Sequence, residues 1–370
     1  MNRFLELAAP GVRGLKPYQP GKPIEELERE LGIQNIIKLA SNENPLGPSP
    51  KALAAAQQAL ADCWLYPDGA GFALKKVLSD RLDVPMDCLT LGNGSSDILD
   101  FAVRAFVTPA DEVMFSEHSF AVYPILTQAA GAKATVVPAK DWGNDLATMK
   151  ASLTDHTRLI FIANPNNPTG TWLDGEALEG FIRGLPRHIL VVVDEAYFEY
   201  ASHPAMGAKG YPDAVRWVAK YPNLIVARTF SKAYGIAGLR AGYGISHPDV
   251  ADLMNRVRPP FNVSNVALAA ATAALADDQH LTRSQELNAA GMRQLEAGFG
   301  AQGLPYIPSV GNFLCVDVGR PAAPVYDALL REGVIVRPVA NYGMPNHLRV
   351  TVGRPEENER FLAALARVLA

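Results

Sequence analysis

A lysine with the surroundings of a reactive amine stands at position 232 of the chain. Lys232 closely follows Thr229 and Ser231 and precedes Arg240 by eight positions. Hydroxyl groups and an arginine suit an anion site, so this segment is typical of a nucleophilic amine that works beside a bound anion. A solvated surface lysine is the simpler alternative, and other residues are needed to choose between the two.

A carboxylate is the second residue that could do chemistry. Asp194 directly follows the apolar run at 189–193, which has the composition of a strand buried on both faces. A carboxylate in that position needs a cationic or hydrogen-bonding partner, because an unpaired one is too costly. Asp194 is therefore either the partner of a functional cation or part of a structural ion pair or helix cap.

Two loops complete the set of candidates. The run at 88–91 is followed by Gly-Asn-Gly-Ser-Ser-Asp and then by a helical pattern, an order in which backbone N–H groups can hold a phosphate. Its alternative is ordinary helix capping by Ser96 or Asp97. The run at 159–163 is followed by Asn-Pro-Asn-Asn-Pro-Thr-Gly, whose prolines make a rigid polar loop or a plain turn.

All four candidates follow apolar runs, and ligands of open parallel sheets bind at the carboxyl ends of the strands. One ligand at that edge would meet a phosphate cup, an amine that forms a Schiff base, a partner for a pyridinium nitrogen and phenolic donors. A phosphorylated aldehyde with a pyridine ring needs all four. The combination indicates pyridoxal 5′-phosphate more strongly than any single loop does.

The elements that position these residues are short apolar runs separated by helical patterns. The predicted strands lie at 88–91, 112–115, 133–137, 159–163, 189–193 and 224–227. This alternation predicts an α/β fold with a mostly parallel central sheet that is covered on both faces. Hydrophobic periodicity predicts helices at 51–61, 72–82 and 98–106.

Different patterns flank this region. A proline-rich arm with one amphipathic helix at 24–31 comes first. After Pro260 a long helical stretch leads to a smaller α+β region, with strands predicted at 312–318, 334–336 and 347–352. The predicted organisation is an arm with part of the small domain at 1–48, a large cofactor-binding domain at 49–260 and a small C-terminal domain at 261–370.

Taken together, the motifs resemble those of fold-type I aminotransferases, and among these the histidinol-phosphate aminotransferase family. The resemblance covers nearly the whole chain. In chain order it is carried by PYQPGKPIEELERELG, LASNENPLGPSPKA, YPDG, NPNNPTG, VVVDEAYFEY, RTFSKAYGIAGLRAGYG and VRPVANYGMPNHLRVTVG. The order and spacing of these segments are more specific than any one of them.

The resemblance implies a role for each matching residue around the cofactor. Lys232 would hold it as a Schiff base and then shuttle a proton, and Asp194 would pair with the pyridine nitrogen. Tyr197 and Asn167 would bond the 3′ oxygen, and Phe120, where many relatives have tyrosine, would stack on the ring. The phosphate would be held by Gly94, Ser95, Ser96, Thr229, Ser231 and Arg240.

The resemblance also implies a homodimer with shared active sites, because Tyr66 would reach the phosphate of the other subunit. The substrate's anionic end would bind Arg349, whose guanidinium offers a bidentate fork. Further substrate-binding candidates are Arg337, Asn312, Asn42 and Tyr18, the last two on an arm that covers the pocket.

The implied reaction transfers an amino group between L-histidinol phosphate and 2-oxoglutarate, a step of histidine biosynthesis that gives imidazole-acetol phosphate and L-glutamate. The alternatives are an aromatic amino acid aminotransferase, a phosphothreonine-type decarboxylase of the same fold and a cofactor-binding sensor. The glycine loop at 92–97 lacks the third glycine of a nicotinamide-binding fingerprint, and no acidic residue clearly ends a second strand, so a dehydrogenase is disfavoured.

Composition narrows the remaining classes. The 370 residues are 48% hydrophobic and carry a formal net charge of −4, which disfavours nucleic-acid and membrane-surface partners. Cys63, Cys88 and Cys315 form no metal or disulfide pattern and fit a reducing cytoplasm. The seven histidines show no metal-ligand spacing, so no metal is predicted, and His118 alone lies near a site loop. No leader-like apolar block is recognised near the start, which favours a cytoplasmic protein.

Overall fold

The computed structural model describes residues 3–370 and is built around a seven-stranded sheet. The strands are β1 Ile37–Lys38, β2 Leu89–Gly92, β3 Glu112–Ser116, β4 Lys133–Val137, β5 Thr157–Ala163, β6 Leu190–Asp194, β7 Leu224–Thr229, β8 Gly242–Ser246, β9 Tyr306–Ile307, β10 Phe313–Asp317, β11 Val334–Ile335, β12 Arg337–Pro338 and β13 His347–Thr351. The large sheet has the order β2-β8-β7-β6-β5-β3-β4.

Helices cover both faces of this sheet. The α-helices are α1 Pro10–Arg13, α2 Ile24–Leu31, α3 Pro50–Ala59, α4 Phe72–Leu82, α5 Ser95–Phe106, α6 Val122–Ala129, α7 Leu146–Ala151, α8 Gly175–Arg183, α9 Phe198–Ala201, α10 Pro248–Val257, α11 Asn265–Leu275, α12 Asp278–Ala301, α13 Ala322–Arg331 and α14 Pro355–Leu369. Two hydrophobic clusters, one on each face, bury the central strands, whereas the edge strand β4 is largely exposed.

The predicted α/β fold with a mostly parallel sheet is confirmed. Strands β3 to β7 pair in parallel, and only β8 runs antiparallel to its neighbours β2 and β7. All six predicted strands are present within two residues of their expected limits. The sequence pattern missed β8, because Gly242 and Gly244 lower its strand propensity. A Cβ on Gly244 would lie 2.7 Å from Ile98, so close packing of α5 explains the glycine there.

The predicted helices at 24–31 and 72–82 have the expected limits, whereas three other predictions need correction. Helix α3 ends at Ala59 and continues as a 3-10 turn, and α5 begins at Ser95 instead of position 98. The arm holds a second short helix, α1, besides the predicted one.

The C-terminal part contains an antiparallel sheet of order β12-β13-β10-β9 with its own apolar core. Strand β1 of the arm pairs in parallel with β11, so the arm is attached to this part of the fold. Helix α11 packs against α3 and α4, and its alanines belong to the core of the large sheet. The domain limits stay a prediction, and this packing favours a boundary later than residue 261, within α12.

Within residues 3–370, no helix combines the length and the apolar character that crossing a bilayer requires.

Candidate active site

A cavity of about 490 Å³ opens at the carboxyl ends of β5, β6 and β7, between the large sheet, the arm and the strands β12 and β13. Most of the predicted site residues line it: Tyr18, Asn42, Ser95, Ser96, Phe120, Asn167, Asp194, Tyr197, Thr229, Ser231, Lys232, Arg240, Arg337 and Arg349. The fold therefore brings together residues as far apart in the chain as Tyr18 and Arg349.

Lys232 lies just beyond β7, and its Nζ donates a hydrogen bond to the carbonyl oxygen of Ser41 at 3.2 Å. Burial, followed by the charges of Arg349 and Arg240, lowers the pKa of Lys232 to about 8, against the opposing pull of Glu43 and Asp194. A fraction of the amine is therefore neutral near pH 7.5. Such an amine is a competent nucleophile and proton acceptor.

Asp194 ends β6 and is only 5% exposed. Its Oδ2 accepts a hydrogen bond from the hydroxyl of Tyr123 at 2.9 Å, whereas Oδ1 has no hydrogen-bond partner among the described residues. Burial raises the pKa of Asp194 to about 6, opposed by Tyr123, the N–H of Ala196 and the charge of Lys232. A buried oxygen without a partner is costly, so Oδ1 is suited to a donor on a bound molecule.

Tyr197 lies between two amides. Its hydroxyl oxygen accepts hydrogen bonds from Nδ2 of Asn42 at 2.8 Å and from Nδ2 of Asn167 at 3.1 Å. Because both amides donate to the oxygen, the hydroxyl hydrogen is left to be donated elsewhere in the cavity. Burial raises the pKa of Tyr197 to about 12, so the hydroxyl keeps its proton at neutral pH. Asn42, predicted to bind substrate, makes its amide contact with Tyr197 in this structure.

A second part of the cavity suits a phosphate. Gly94 precedes α5 with a φ of +91°, and a Cβ there would lie 2.5 Å from Nη2 of Arg240. The glycine therefore allows the guanidinium to approach the start of the helix, where free N–H groups attract anions. Arg240 Nη1 also donates to Oγ of Ser231 at 3.2 Å, and Ser231 Oγ accepts from Thr229 at 3.0 Å. The N-cap is Gly94, so neither Ser96 nor Asp97 is the N-cap residue, but Oδ2 of Asp97 on the first turn of α5 accepts the N–H of Asn93 at 2.8 Å.

The opposite end of the cavity carries two arginines. Arg349 on β13 donates to Oδ1 of Asn167 at 2.6 Å and to the carbonyl of Ala40 at 2.7 Å, and its buried Nε has no partner among the described residues. Arg337 on β12 donates to the carbonyl of Gln19 at 2.6 Å and lies 5.9 Å from the ring centroid of Tyr18. Both guanidinium groups are therefore held by neutral acceptors.

Three of the predicted site residues do not line the cavity. Gly94 directly precedes α5 beside Arg240, as described above. Asn312 is buried and donates to the carbonyl of Glu43 at 3.4 Å. Tyr66 is 82% exposed and stacks on Phe261 with ring centroids 4.7 Å apart, so it faces away from its own chain's cavity.

The residues present fit pyridoxal 5′-phosphate. Arg240, Arg337 and Arg349 have no carboxylate within ion-pair distance in the described part of the chain, so the cavity carries uncompensated positive charge. A bound phosphate and an anionic substrate would supply the missing negative charge. Oδ1 of Asp194 could accept a hydrogen bond from a protonated ring nitrogen, and the hydroxyl of Tyr197 could donate its hydrogen to an oxygen of the ring.

Two residues that contact the catalytic candidates, Tyr123 and Ser41, were not predicted from the sequence. Tyr123 lies on the first turn of α6, and its N–H donates to the carbonyl oxygen of Phe120 in the turn before the helix, so closeness to Phe120 in the chain is the signal that could have placed it near the site. The contact with Ser41 is made by its backbone carbonyl oxygen, which every residue has, so the residue type could not predict it. His118, which lies near a site loop, is buried with Nδ1 2.7 Å from the carbonyl oxygen of Tyr342 and does not line the cavity.

Behind the site lies a buried ion pair. Arg228 donates to Oε2 of Glu195 through Nε at 2.9 Å and Nη2 at 2.7 Å, and to Asp213 at 2.6 Å. These residues join the ends of β6 and β7, which carry Asp194 and Thr229. The pair therefore supports the positions of the cavity residues from behind.

Comparisons with known proteins agree with this geometry. The family model described as aminotransferase class I and II matches residues 34–365. Histidinol-phosphate aminotransferase 2 of Pseudomonas fluorescens is 61% identical over 369 residues, covering 99% of this chain and 98% of that protein. Histidinol-phosphate aminotransferase 1 of Nitrosococcus oceani is 59% identical over 366 residues, with 99% and 98% covered.

Solved structures give the same result. The histidinol-phosphate aminotransferase from Sinorhizobium meliloti in complex with pyridoxal-5′-phosphate superimposes with a TM-score of 0.90 at 31% identity, covering 100% of this chain and 98% of that one. The fold, the cavity and these full-length similarities agree with one another: the chain belongs to the class I and II aminotransferase family, and within it to the histidinol-phosphate aminotransferases.

Proposed function

We propose that this enzyme transfers an amino group between L-histidinol phosphate and 2-oxoglutarate, giving imidazole-acetol phosphate and L-glutamate, as a step of histidine biosynthesis. The observation that carries the proposal is a single cavity that joins Lys232 and Asp194 at one end to the unpaired Arg337 and Arg349 at the other. An amine with a phosphate or carboxylate a few bonds away fits both ends at once. The names of the full-length relatives support the same substrate.

The chemistry depends on a bound group. Pyridoxal 5′-phosphate, when bound, supplies an aldehyde that condenses with amines and a pyridinium ring that takes up the electron pair left at Cα. Lys232 would supply the amine that holds it, and Nζ would then move the proton between Cα of the substrate and C4′ of the cofactor. A pKa of about 8 suits both directions of that transfer near neutral pH.

Asp194 and Tyr197 tune the site electrostatically. Oδ1 of Asp194 would accept the hydrogen bond of the ring nitrogen and keep that nitrogen protonated. With a pKa of about 6, its carboxylate is mostly ionised at pH 7 to 8. Tyr197 would donate its hydroxyl hydrogen to the 3′ oxygen, because its oxygen already accepts from Asn42 and Asn167. Phe120 would stack on the ring.

The remaining residues bind anions and exclude water. The N–H groups at the start of α5, with Arg240, Ser231 and Thr229, would hold the cofactor phosphate. Arg349 and Arg337 would bind the substrate's phosphate or carboxylate. Tyr18 belongs to the arm and packs edge-on against Phe120, with ring centroids 6.4 Å apart, so the arm covers the site from above.

The proposal includes a homodimer that works in the cytoplasm. Tyr66 and three residues close to it in the chain, Trp64, Leu65 and Phe72, are exposed apolar side chains that suit contact with a second copy. The three cysteines are unpaired, which fits a reducing compartment.

Subunit mixing tests the shared site. Lys232→Ala and Tyr66→Ala chains should each be poorly active, whereas their 1:1 mixture should regain about a quarter of the wild-type activity. Half of the dimers are then mixed, and each mixed dimer holds one complete site. Lack of recovery under conditions where the subunits exchange would contradict a shared site.

The substrate is tested by the absorbance of the cofactor-loaded enzyme. Histidinol phosphate, phenylalanine and phosphothreonine are titrated in separate experiments, with product analysis, and Lys232→Ala is the matched control. We expect conversion to the amine form of the cofactor by histidinol phosphate at far lower concentration than by phenylalanine. Preference for phenylalanine would make the enzyme an aromatic aminotransferase, and loss of the carboxyl group from phosphothreonine would indicate a decarboxylase. A protein that shows no absorbance band of bound cofactor would refute all three activities.

A further inference from the structure

The two oxygens of Asp194 differ in their surroundings. Oδ2 accepts the hydroxyl hydrogen of Tyr123 at 2.9 Å, and Oδ1 is the buried atom without a partner. A phenol has a single hydrogen to donate, so Tyr123 selects which oxygen of the carboxylate remains available. Without that bond both oxygens would compete for one donor on the bound molecule.

Tyr123 itself is held rigidly. Its side chain is fully buried, and its ring stacks on Phe161 with centroids 4.5 Å apart and planes 4° from parallel. The edge of the same ring contacts Phe120, with centroids 5.9 Å apart. The hydroxyl position is therefore set by aromatic packing that does not involve Asp194.

Charge reinforces the geometry. Burial, and next the charge of Asp194, raise the pKa of Tyr123 well above its usual value, so the hydroxyl remains a donor throughout the working pH range. A hydrogen bond to the ionised carboxylate favours that form over the neutral acid. Tyr123 thus opposes the burial that makes Asp194 harder to ionise.

We propose that Tyr123 is a positioning residue that orients Asp194, presenting Oδ1 to the pyridine nitrogen of the cofactor. The inference rests on the proposed function, since it assigns a role toward the cofactor of that reaction. Tyr123 touches neither substrate nor the reacting carbon and acts through the carboxylate. It also links the two residues expected to contact the ring, because Phe120 packs against it on one side and Asp194 bonds it on the other.

The test uses Tyr123→Phe in the cofactor-loaded enzyme. The substitution keeps the ring contacts and removes one hydroxyl, so the fold should be retained. A hydrogen bond to a charged group changes an equilibrium constant roughly 10- to 100-fold. Only part of the effect on the Asp194 carboxylate is passed on to the ring nitrogen of the cofactor. We therefore expect kcat to fall about tenfold, with KM within about twofold of wild type.

The matched control is Tyr221→Phe, which removes a similar bond, from a tyrosine hydroxyl to Glu179 at 2.8 Å, outside the site. It should leave kcat unchanged. The distinguishing readout is the ¹⁵N NMR signal of enzyme reconstituted with ¹⁵N-labelled pyridoxal phosphate. The ring nitrogen should be protonated in wild type and in Tyr221→Phe, and should lose its proton within the accessible pH range in Tyr123→Phe. A purely structural role would lower the unfolding midpoint and leave this signal in place.

A double-mutant cycle with Asp194→Asn tests the path of the effect. If Tyr123 acts through Asp194, Tyr123→Phe should cost almost nothing further in that background. An equal tenfold loss in both backgrounds would overturn the inference, and so would wild-type kcat and an unchanged nitrogen signal in the single variant. Should the phenylalanine variant not fold, Tyr123→His, which keeps an N–H donor, must retain the protonated nitrogen. Failure of the proposed function would instead appear in the wild-type enzyme, as absent transamination.

Discussion

Replacing Arg349 by methionine tests the electrostatic design of the cavity most directly. Arg349 is 6% exposed, its guanidinium donates to neutral acceptors of Asn167 and Ala40, and it has no carboxylate partner in the described chain. Its favourable ionic partner is therefore expected to be the substrate. Methionine fills a similar volume without charge, so the change removes the interaction and disturbs packing little.

The magnitude follows from the burial of the pair. Removing one partner of a buried, hydrogen-bonded charge pair costs about 2–5 kcal/mol. At about 1.36 kcal/mol for each factor of ten, kcat/KM should fall about 30- to 5,000-fold for both amino donors. Arg349→Lys keeps the charge and loses the fork, so its loss should be smaller. Steady-state kinetics with histidinol phosphate and glutamate measure both variants.

The same substitution should change Lys232. After burial, Arg349 is the largest cause of the lowered pKa of Lys232, so its removal should raise that pKa above about 8. A smaller neutral fraction at pH 7.5 means slower capture of cofactor by the apoenzyme, and the midpoint of the capture rate should move to higher pH. Stopped-flow reconstitution measures it, with the exposed Arg256→Met as control. An Arg349→Met enzyme with kcat/KM within threefold of wild type and an unmoved midpoint would refute the reasoning.

Three further predictions concern stability and tuning. Burial raises the pKa of Glu199 to about 7, above its unfolded value of about 4.3. The contribution of Glu199 to stability is therefore complete below the unfolded value and is lost as pH rises through the folded value. Glu199→Gln should remove up to about 4 kcal/mol of this pH dependence in urea unfolding, and an unchanged slope would contradict the prediction. Glu195→Gln leaves Arg228 paired only with Asp213, so it should cost less than the about 3–5 kcal/mol expected for a buried charge without any partner. Glu195→Gln combined with Arg228→Met should recover part of that loss. Additive losses in the double variant would argue against a coupled pair. Asn42→Ala removes one donor from Tyr197 and should lower kcat about fivefold to tenfold with little change in cofactor affinity. Steady-state kinetics and cofactor titration measure these two effects. A change confined to KM would indicate instead that Asn42 binds substrate.

Much of the fold and of the candidate site could be predicted from local sequence patterns. Strands β3, β5, β6 and β7 are mostly apolar because both faces of the parallel sheet are buried there, and the polar residues that follow them are confined to the sheet edge. The family motifs then assign Lys232, Asp194 and Arg349 to one site, and the fold places all three around one cavity. Strand β8 was not predicted, because its glycines are required for close packing against α5 and lower the strand propensity of the segment.

The tertiary structure decided what each of these residues touches. Neither the bond from Tyr123 to Asp194 nor the contact of Lys232 with the Ser41 carbonyl has a signature in residue type or spacing, because each joins segments that meet only after folding. Burial and neighbouring charge likewise arise only in the assembled cavity, and they lower the pKa of Lys232 and raise that of Asp194. The sequence by itself determined the fold class, the family and the chemical groups available; distance and desolvation, which belong to the packed structure alone, decided how those groups are tuned.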